Sequence, residues 1–128
     1  MIYLDTSVAL AHLPAEDRVP PASLWRDALV SSRLIEYEIW NRLHARDLAQ
    51  TCGEDARALI GGLALLELTP PVLARALDPL PVAVRTLDAL HLASLEFVRA
   101  QGQNVVLASY DERMLAAARA LKIPLHPL

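Results

Sequence analysis

The chain has 128 residues, 54% hydrophobic and 21% charged, so it can bury its own core without disulfide or zinc staples and is not intrinsically disordered. Its net charge of −3 argues against holding nucleic acid by bulk positive potential, and no apolar run approaches the ~20 residues of a membrane span. The N-terminus lacks a basic segment and meets an acid at Asp5, unlike a signal peptide, and the single cysteine, Cys52, excludes an internal disulfide and a cysteine-based zinc site; one cytoplasmic domain over residues 1–128 is expected.

In chain order, residues 2–4 read as an apolar strand ending in Asp5-Thr6-Ser7. Ser7 is expected to cap a short helix over 8–13, stopped by Pro14, and residues 14–21 read as a polar, proline-rich loop. A short helix or turn over 24–29 and a brief strand over 28–30 follow. Ser31 and Ser32 are expected to cap a helix from Arg33 to about Gln50. Further elements are a helix over 54–65, a strand over 66–69 closed by Pro70-Pro71, and a short helix over 72–77. Thr86 is expected to cap a long helix over 87–101, ended by Gly102 at its C′ position. Residues 104–109 form the clearest strand, Asp111 or Glu112 opens a last helix to Leu121, and 123–128 reads as a terminal strand.

Strands alternate with helices and are apolar without alternation. That pattern predicts an α/β fold whose parallel sheet is covered on both faces. Chemistry in such sheets sits beyond the carboxyl ends of the strands. Those positions hold Asp5 after the first strand, Asp111 after the late strand, Asp88 in the first turn of the helix at 87–101, and Glu38 in the second turn of the helix after Ser32. If they converge, four carboxylates cannot all stay ionised without a counter-charge. No lysine or histidine is expected to supply it internally. Oxygen-only ligands favour Mg²⁺ or Mn²⁺ over zinc, and acidic sites holding such ions hydrolyse phosphodiesters. The bland alternative is that acids at helix starts merely complement the helix dipole, worth ~0.3–1 kcal/mol each. Asp5 resists that alternative, because an acid ending a buried strand is costly to place there.

Tyr3-Leu4-Asp5-Thr6-Ser7 resembles the opening of the PIN-domain nucleases. Residues 31–38, a Ser-rich start followed by an acid, resemble their second motif. Arg85-Thr86-Leu87-Asp88-Ala89-Leu90-His91-Leu92-Ala93 resembles their third and Ala108-Ser109-Tyr110-Asp111 their fourth. Size and the third motif look most like the VapC toxins of bacterial toxin–antitoxin pairs. The resemblance implies a three-layer α/β/α fold with a central parallel sheet, and a metal-dependent ribonuclease that is cytoplasmic, forms a homodimer and meets a cognate antitoxin. It implies that Asp5, Glu38, Asp88 and Asp111 form the catalytic set holding a Mg²⁺ or Mn²⁺ ion and the attacking water, with Asp5, Asp88 and Asp111 as metal ligands. Ser7 and Ser109 would orient the carboxylates from behind. Glu36 competes with Glu38, but two residues on a helix stand about 200° apart, so only one faces the site; the motif spacing favours Glu38. His91 is expected to pack against the sheet.

Of the twelve basic residues only Lys122 is lysine. Arginine forks suit phosphate, although the codon bias of a GC-rich genome also produces arginine. Arg33, Arg42, Arg46 and Arg85 lie near the acidic motifs and are the candidates for RNA phosphate contacts. Trp25 and Trp40 are expected in the core or an interface rather than stacked on bases. The helix after Ser32 carries more apolar residues than one stripe needs, which suits a two-fold dimer unless the helix over 54–65 covers the surplus.

Other classes fit less well. A phospho-accepting receiver domain needs a lysine after a late strand, and Lys122 ends the last helix instead. An aspartyl phosphatase needs a second Asp two residues after the first, and position 7 is Ser. A non-toxin RNA-processing nuclease of the same fold, or a catalytically silent interaction module, stays open.

Overall fold

The computed structural model describes residues 1–14 and 19–128. The elements are β1 (Ile2–Leu4), α1 (Thr6–His12), a 3₁₀ turn (Ala22–Arg26), β2 (Leu29–Ser32), α2 (Leu34–Ala45), α3 (Ala49–Gly61), β3 (Ala64–Leu66), α4 (Pro70–Leu77), α5 (Thr86–Ala100), β4 (Val106–Ala108) and α6 (Glu112–Ala120). The four strands form one all-parallel sheet in the order β3-β2-β1-β4. Half of the loop expected over 14–21, residues 15–18, lies outside the described residues.

Strand alternation divides the core into two layers. Ile2, Leu4 and Leu29 join Val8, Leu24, Ile35, Ile39 and Leu43 on one face. Tyr3, Val30 and Leu107 join Leu92, Leu95, Val98 and Met114 on the other. The result is a three-layer α/β/α arrangement, in which each fully buried Leu or Ile contributes roughly 1.5–3 kcal/mol. β1 and β2 are buried along their whole length, whereas the edge strand β3 is half-exposed.

Local chemistry moves several boundaries. The helix expected to run to Gln50 stops at Ala45, because Asp47 adopts φ 55° and Leu48 N–H bonds back to Leu43 C=O, a left-handed helix stop. The chain restarts as α3 at Ala49, five residues earlier than expected, and ends at Gly61, so β3 also comes early. Ser7 is not a cap but lies inside α1, whose N-cap is Asp5. Ser31 and Ser32 end β2, and the N-cap of α2 is Arg33. Ser31 Oγ donates to Leu4 C=O at 2.7 Å, and Ser32 Oγ still accepts from Leu34 N–H at 3.2 Å. Thr86 is the first residue of α5 and Arg85 its N-cap. Gly102 takes φ 86° after α5, as a C′ glycine should. The terminal strand reduces to one parallel bridge, Leu107 with Leu125.

The surplus apolar surface of α2 has an internal partner. Trp40 packs at Gly53 of α3, where an added Cβ would meet its ring at 3.4 Å, and the Arg57 guanidinium lies 5.1 Å from the ring centroid. Tyr37 is left exposed. The amphipathic argument for a dimer along α2 therefore weakens. Trp25 stacks on His12 at 4.4 Å between centroids and is half-buried.

Candidate active site

The strand order reverses direction at β1: the chain moves from β1 to β2 and β3 on one side, then crosses to β4 on the other. Crevices at the carboxyl ends of strands form at such switch points. Asp5 follows β1 and Ser109 follows β4, and Asp5 N–H bonds to Ala108 C=O at 3.0 Å, which ties the two strand ends together. A cleft of about 520 Å³ opens there and is lined by all four expected acids, Asp5, Glu38, Asp88 and Asp111, together with Thr6, Ser7, Arg42 and Arg85.

Asp5 is only 5% exposed. Its Oδ2 accepts hydrogen bonds from Ser7 Oγ at 2.6 Å and Ser109 Oγ at 2.8 Å. Each serine is held in turn by a backbone N–H: Tyr110 donates to Ser7 and Asp111 donates to Ser109, both at 2.9 Å. Burying a carboxylate is costly unless hydrogen bonds replace its water. These hydroxyls do so without cancelling its charge.

Asp111 and Asp88 combine the bland role with the expected placement. Asp111 caps α6, its Oδ1 accepting from Arg113 and Met114 N–H. Asp88 sits at the third position of α5 and accepts from the backbone N–H of the N-cap residue Arg85. The Asp88 carboxyl is pushed above the usual carboxylate range by burial first, then by the negative charges of Asp111 and Asp5, with the Arg85 bond opposing. Mutual repulsion of this kind favours either a proton or a cation in the cleft. Among the described residues, no three Asp, Glu, His or Cys side chains close on a common metal-binding point as they stand.

Glu38 reaches the cleft from α2, while Glu36 turns away to Arg33, so the helical phase separates the two acids as expected. Glu38 Oε1 accepts from Thr6 Oγ1 at 2.9 Å and contacts His91 Nε2 at 2.5 Å. The expectation that no histidine balances the acids is thus corrected. His91 is 1% exposed and packs under the sheet as expected, yet its ring faces a cleft carboxylate. Burial lowers the affinity of this imidazole for its proton. The bond to Glu38 and the charges of Glu38, Asp5 and Asp88 raise it by more, so its pKa ends above the ordinary histidine value.

The four candidate arginines separate. Arg42 and Arg85 line the cleft. Arg33 does not; it pairs with Glu36 at 2.7 Å and Glu67 at 2.5 Å on the outer surface. Arg46 is the C-cap of α2, outside the cleft lining. Thr6 and His91 are the polar contacts that sequence reasoning left out. The spacing of His91 from Asp88 was visible, but its partner Glu38 lies 53 residues away. Beside the acidic cleft runs an apolar groove of about 640 Å³, lined by Leu73, Leu77, Leu80, Val82 and Val84 and sharing Arg85 and Thr86 with it.

Comparison with known proteins identifies the family. Residues 2–120 match the family model of the PIN domain. The chain is 32% identical over 126 residues to Ribonuclease VapC47 of Mycobacterium tuberculosis (strain CDC 1551 / Oshkosh), covering 93% of this chain and 90% of the relative. It is 35% identical over 123 residues to Ribonuclease VapC46 of Mycobacterium tuberculosis (strain ATCC 25618 / H37Rv), covering 94% and 92%. By its sequence motifs, its parallel sheet and the extent of these matches, the chain belongs to the PIN-domain family.

Proposed function

We propose that this protein is a metal-dependent ribonuclease that hydrolyses RNA phosphodiester bonds as the toxin of a toxin–antitoxin pair. The observation that carries the reading is the gathering of four carboxylates, from four separate parts of the chain, around one cleft at the carboxyl end of the sheet. Two relatives of nearly the same length bear the name ribonuclease.

The donor chemistry suits a hard divalent ion. Asp5, Asp88 and Asp111 offer only oxygen, and the Asp88 carboxyl, raised by burial first and then by the charges of Asp111 and Asp5, sits where a cation would relieve that strain on its charge. Side-chain rotation is needed to bring them together on one ion, since no three converge as they stand among the described residues. When bound, Mg²⁺ or Mn²⁺ supplies charge neutralisation and polarises water and phosphate oxygens. The chain itself does the rest. Ser7 and Ser109 fix one oxygen of Asp5 and leave the other to the cleft. Glu38, whose carboxylate lines the cleft, is assigned as the group that would accept a proton from the attacking water. The Arg42 and Arg85 guanidiniums, at the rim, suit phosphate oxygens of the RNA.

The antitoxin is read as a segment that folds onto the apolar groove beside the cleft and offers a basic side chain to the acids. Excess Mg²⁺ should then oppose inhibition. Affinity and inhibition both indifferent to Mg²⁺ would remove that competition. A two-fold homodimer burying ~1,200–2,000 Å² in total is the assembly proposed, with exposed Tyr37 and Leu87, outside the groove given to the antitoxin, as the apolar surface at hand. Sedimentation showing only monomer at micromolar concentration would count against it.

The test of the activity is cleavage of RNA with Mg²⁺, with Mn²⁺ and with chelator. Cleavage that needs the metal and disappears in Asp5→Asn supports the reading. Cleavage unaffected by chelator, or equal in the variant, rejects it.

A further inference from the structure

His91 stands on α5 three residues after Asp88, so the two share a helix face. One element therefore carries a cleft acid and, one turn on, a buried imidazole that touches the cleft acid of another helix. The imidazole bonds at both nitrogens. Nδ1 meets Tyr3 Oη at 2.8 Å and Nε2 meets Glu38 Oε1 at 2.5 Å. Tyr3 is fully buried in the central strand, and its ring stands edge-on to the imidazole, 5.9 Å between centroids at 87°. A core histidine satisfied only by backbone would not reach the cleft; this one spans from the sheet interior to it.

The proton positions follow from chemistry. A carboxylate oxygen only accepts, so the contact with Glu38 puts a proton on Nε2 and leaves Nδ1 to the Tyr3 hydroxyl. A neutral His91 then accepts from Tyr3 at Nδ1 and carries its proton on Nε2, directed at Glu38. A charged His91 donates from both nitrogens. In either state Nε2–H donates to Oε1, which also accepts from Thr6. Oε1 is thereby saturated, and Oε2 is the oxygen left for the cleft.

We propose that His91, anchored by Tyr3, is a positioning residue that fixes the Glu38 carboxylate with Oε2 presented to the attacking water. The assignment rests on the ribonuclease reading for its kinetic consequence but not for the contact itself.

Two measurements test it. The first is the ¹H–¹⁵N spectrum of the imidazole in full-length protein without metal or RNA. A slowly exchanging, downfield Nε2 proton is expected, lost in Glu38→Ala and retained in Asp111→Asn. The second is cleavage kinetics with Mn²⁺ affinity measured alongside. His91→Leu should lower kcat by about 10–100-fold, the usual cost of losing a group that orients a site residue, with KM and Mn²⁺ affinity unchanged. His91→Gln, which returns an amide donor near Nε2, should recover most of kcat. Tyr3→Phe, which keeps the ring in the core, should fall between them. An Nε2 proton insensitive to Glu38→Ala overturns the contact. Full kcat in His91→Leu, or equal losses in the Leu and Gln variants when both are folded, overturns the positioning role. Wild-type protein that cleaves no RNA, while its Nε2 proton still responds to Glu38→Ala, overturns the ribonuclease reading and not the contact.

Discussion

Asp5 and Glu38 line the same cleft, yet one is held by two neutral hydroxyls and the other by a hydroxyl and an imidazole. The difference divides the cleft electrostatically. Serine hydroxyls orient a carboxylate without neutralising it, so the Asp5, Asp88 and Asp111 side remains acidic, with Asp88 pushed up by burial first and then by its acidic neighbours. On the Glu38 side the protein brings its own partly positive partner, which competes with any ion for the same oxygen. On the proposed reading, a metal would belong to the first side and proton handling to the second.

The largest effect that would sharpen this division is in Asp5→Asn. The amide keeps acceptor and size but loses the charge, so Mn²⁺ binding and cleavage should both fall by more than about 100-fold, beyond the loss of an orienting group. Circular dichroism should stay native. Cleavage within tenfold of wild type would break the assignment of Asp5 to the cation side.

Ser109→Ala comes next. It removes one donor to Asp5 and the acceptor for Asp111 N–H. Activity should fall about 10–100-fold and unfolding free energy by about 1 kcal/mol, since a part-buried N–H loses its partner. Denaturant unfolding and cleavage of the same preparation check both.

On the other side, His91→Gln probes a smaller, pH-dependent term. The folded pKa of His91 is raised above its reference of 6.5, so the native state binds the proton more tightly than the unfolded chain. The stabilisation is therefore complete below the reference value and is lost as pH rises through the raised folded value. Measured with chelator, the stability gap between wild type and variant should be up to about 2 kcal/mol in mild acid and should close towards alkaline pH. A gap that widens with pH would contradict the His91–Glu38 pairing.

Asp88→Asn should move stability least, because two terms oppose. The folded pKa is raised from 3.8, so the penalty is absent below that value and grows as pH rises through the folded one. The variant relieves it but gives up a charge at a helix start worth about 0.3–1 kcal/mol. A small gain in metal-free Tm at neutral pH, vanishing near pH 4 and when Mg²⁺ is added to the wild type, is expected. A loss of Tm at neutral pH would mean the helix-start role outweighs the repulsion.

Much of the cleft was legible because it follows strand ends. Asp5, Ser109 and Asp111 are adjacent in chain to apolar runs, and the parallel alternation puts such positions at one edge of the sheet. Helical phase showed that only one of Glu36 and Glu38 could face the cleft, and the spacing of the family motif selected Glu38. The break between α2 and α3 was not legible: Asp47 in a left-handed conformation carries no glycine signature, and the helical pattern runs on through it. Nor was the fate of Trp40, whose partner Gly53 belongs to the next helix. Arg33 looked like its neighbours in sequence and turned out to be engaged with Glu36 and Glu67, because position 33 precedes α2 on the side away from the cleft.

The parallel α/β architecture and the placement of the four acids are written in the chain's order, since periodicity and the residues ending each apolar run depend on nearest neighbours, and the family was legible through the resemblance of four short motifs. Which oxygen of each acid is occupied, and by what, is a tertiary matter. Thr6 and His91 meet on one oxygen of Glu38 only because α1, α2 and α5 converge at the end of β1. No local pattern encodes a contact across 53 residues, because its existence depends on how the two helices pack against the sheet and not on either helix alone.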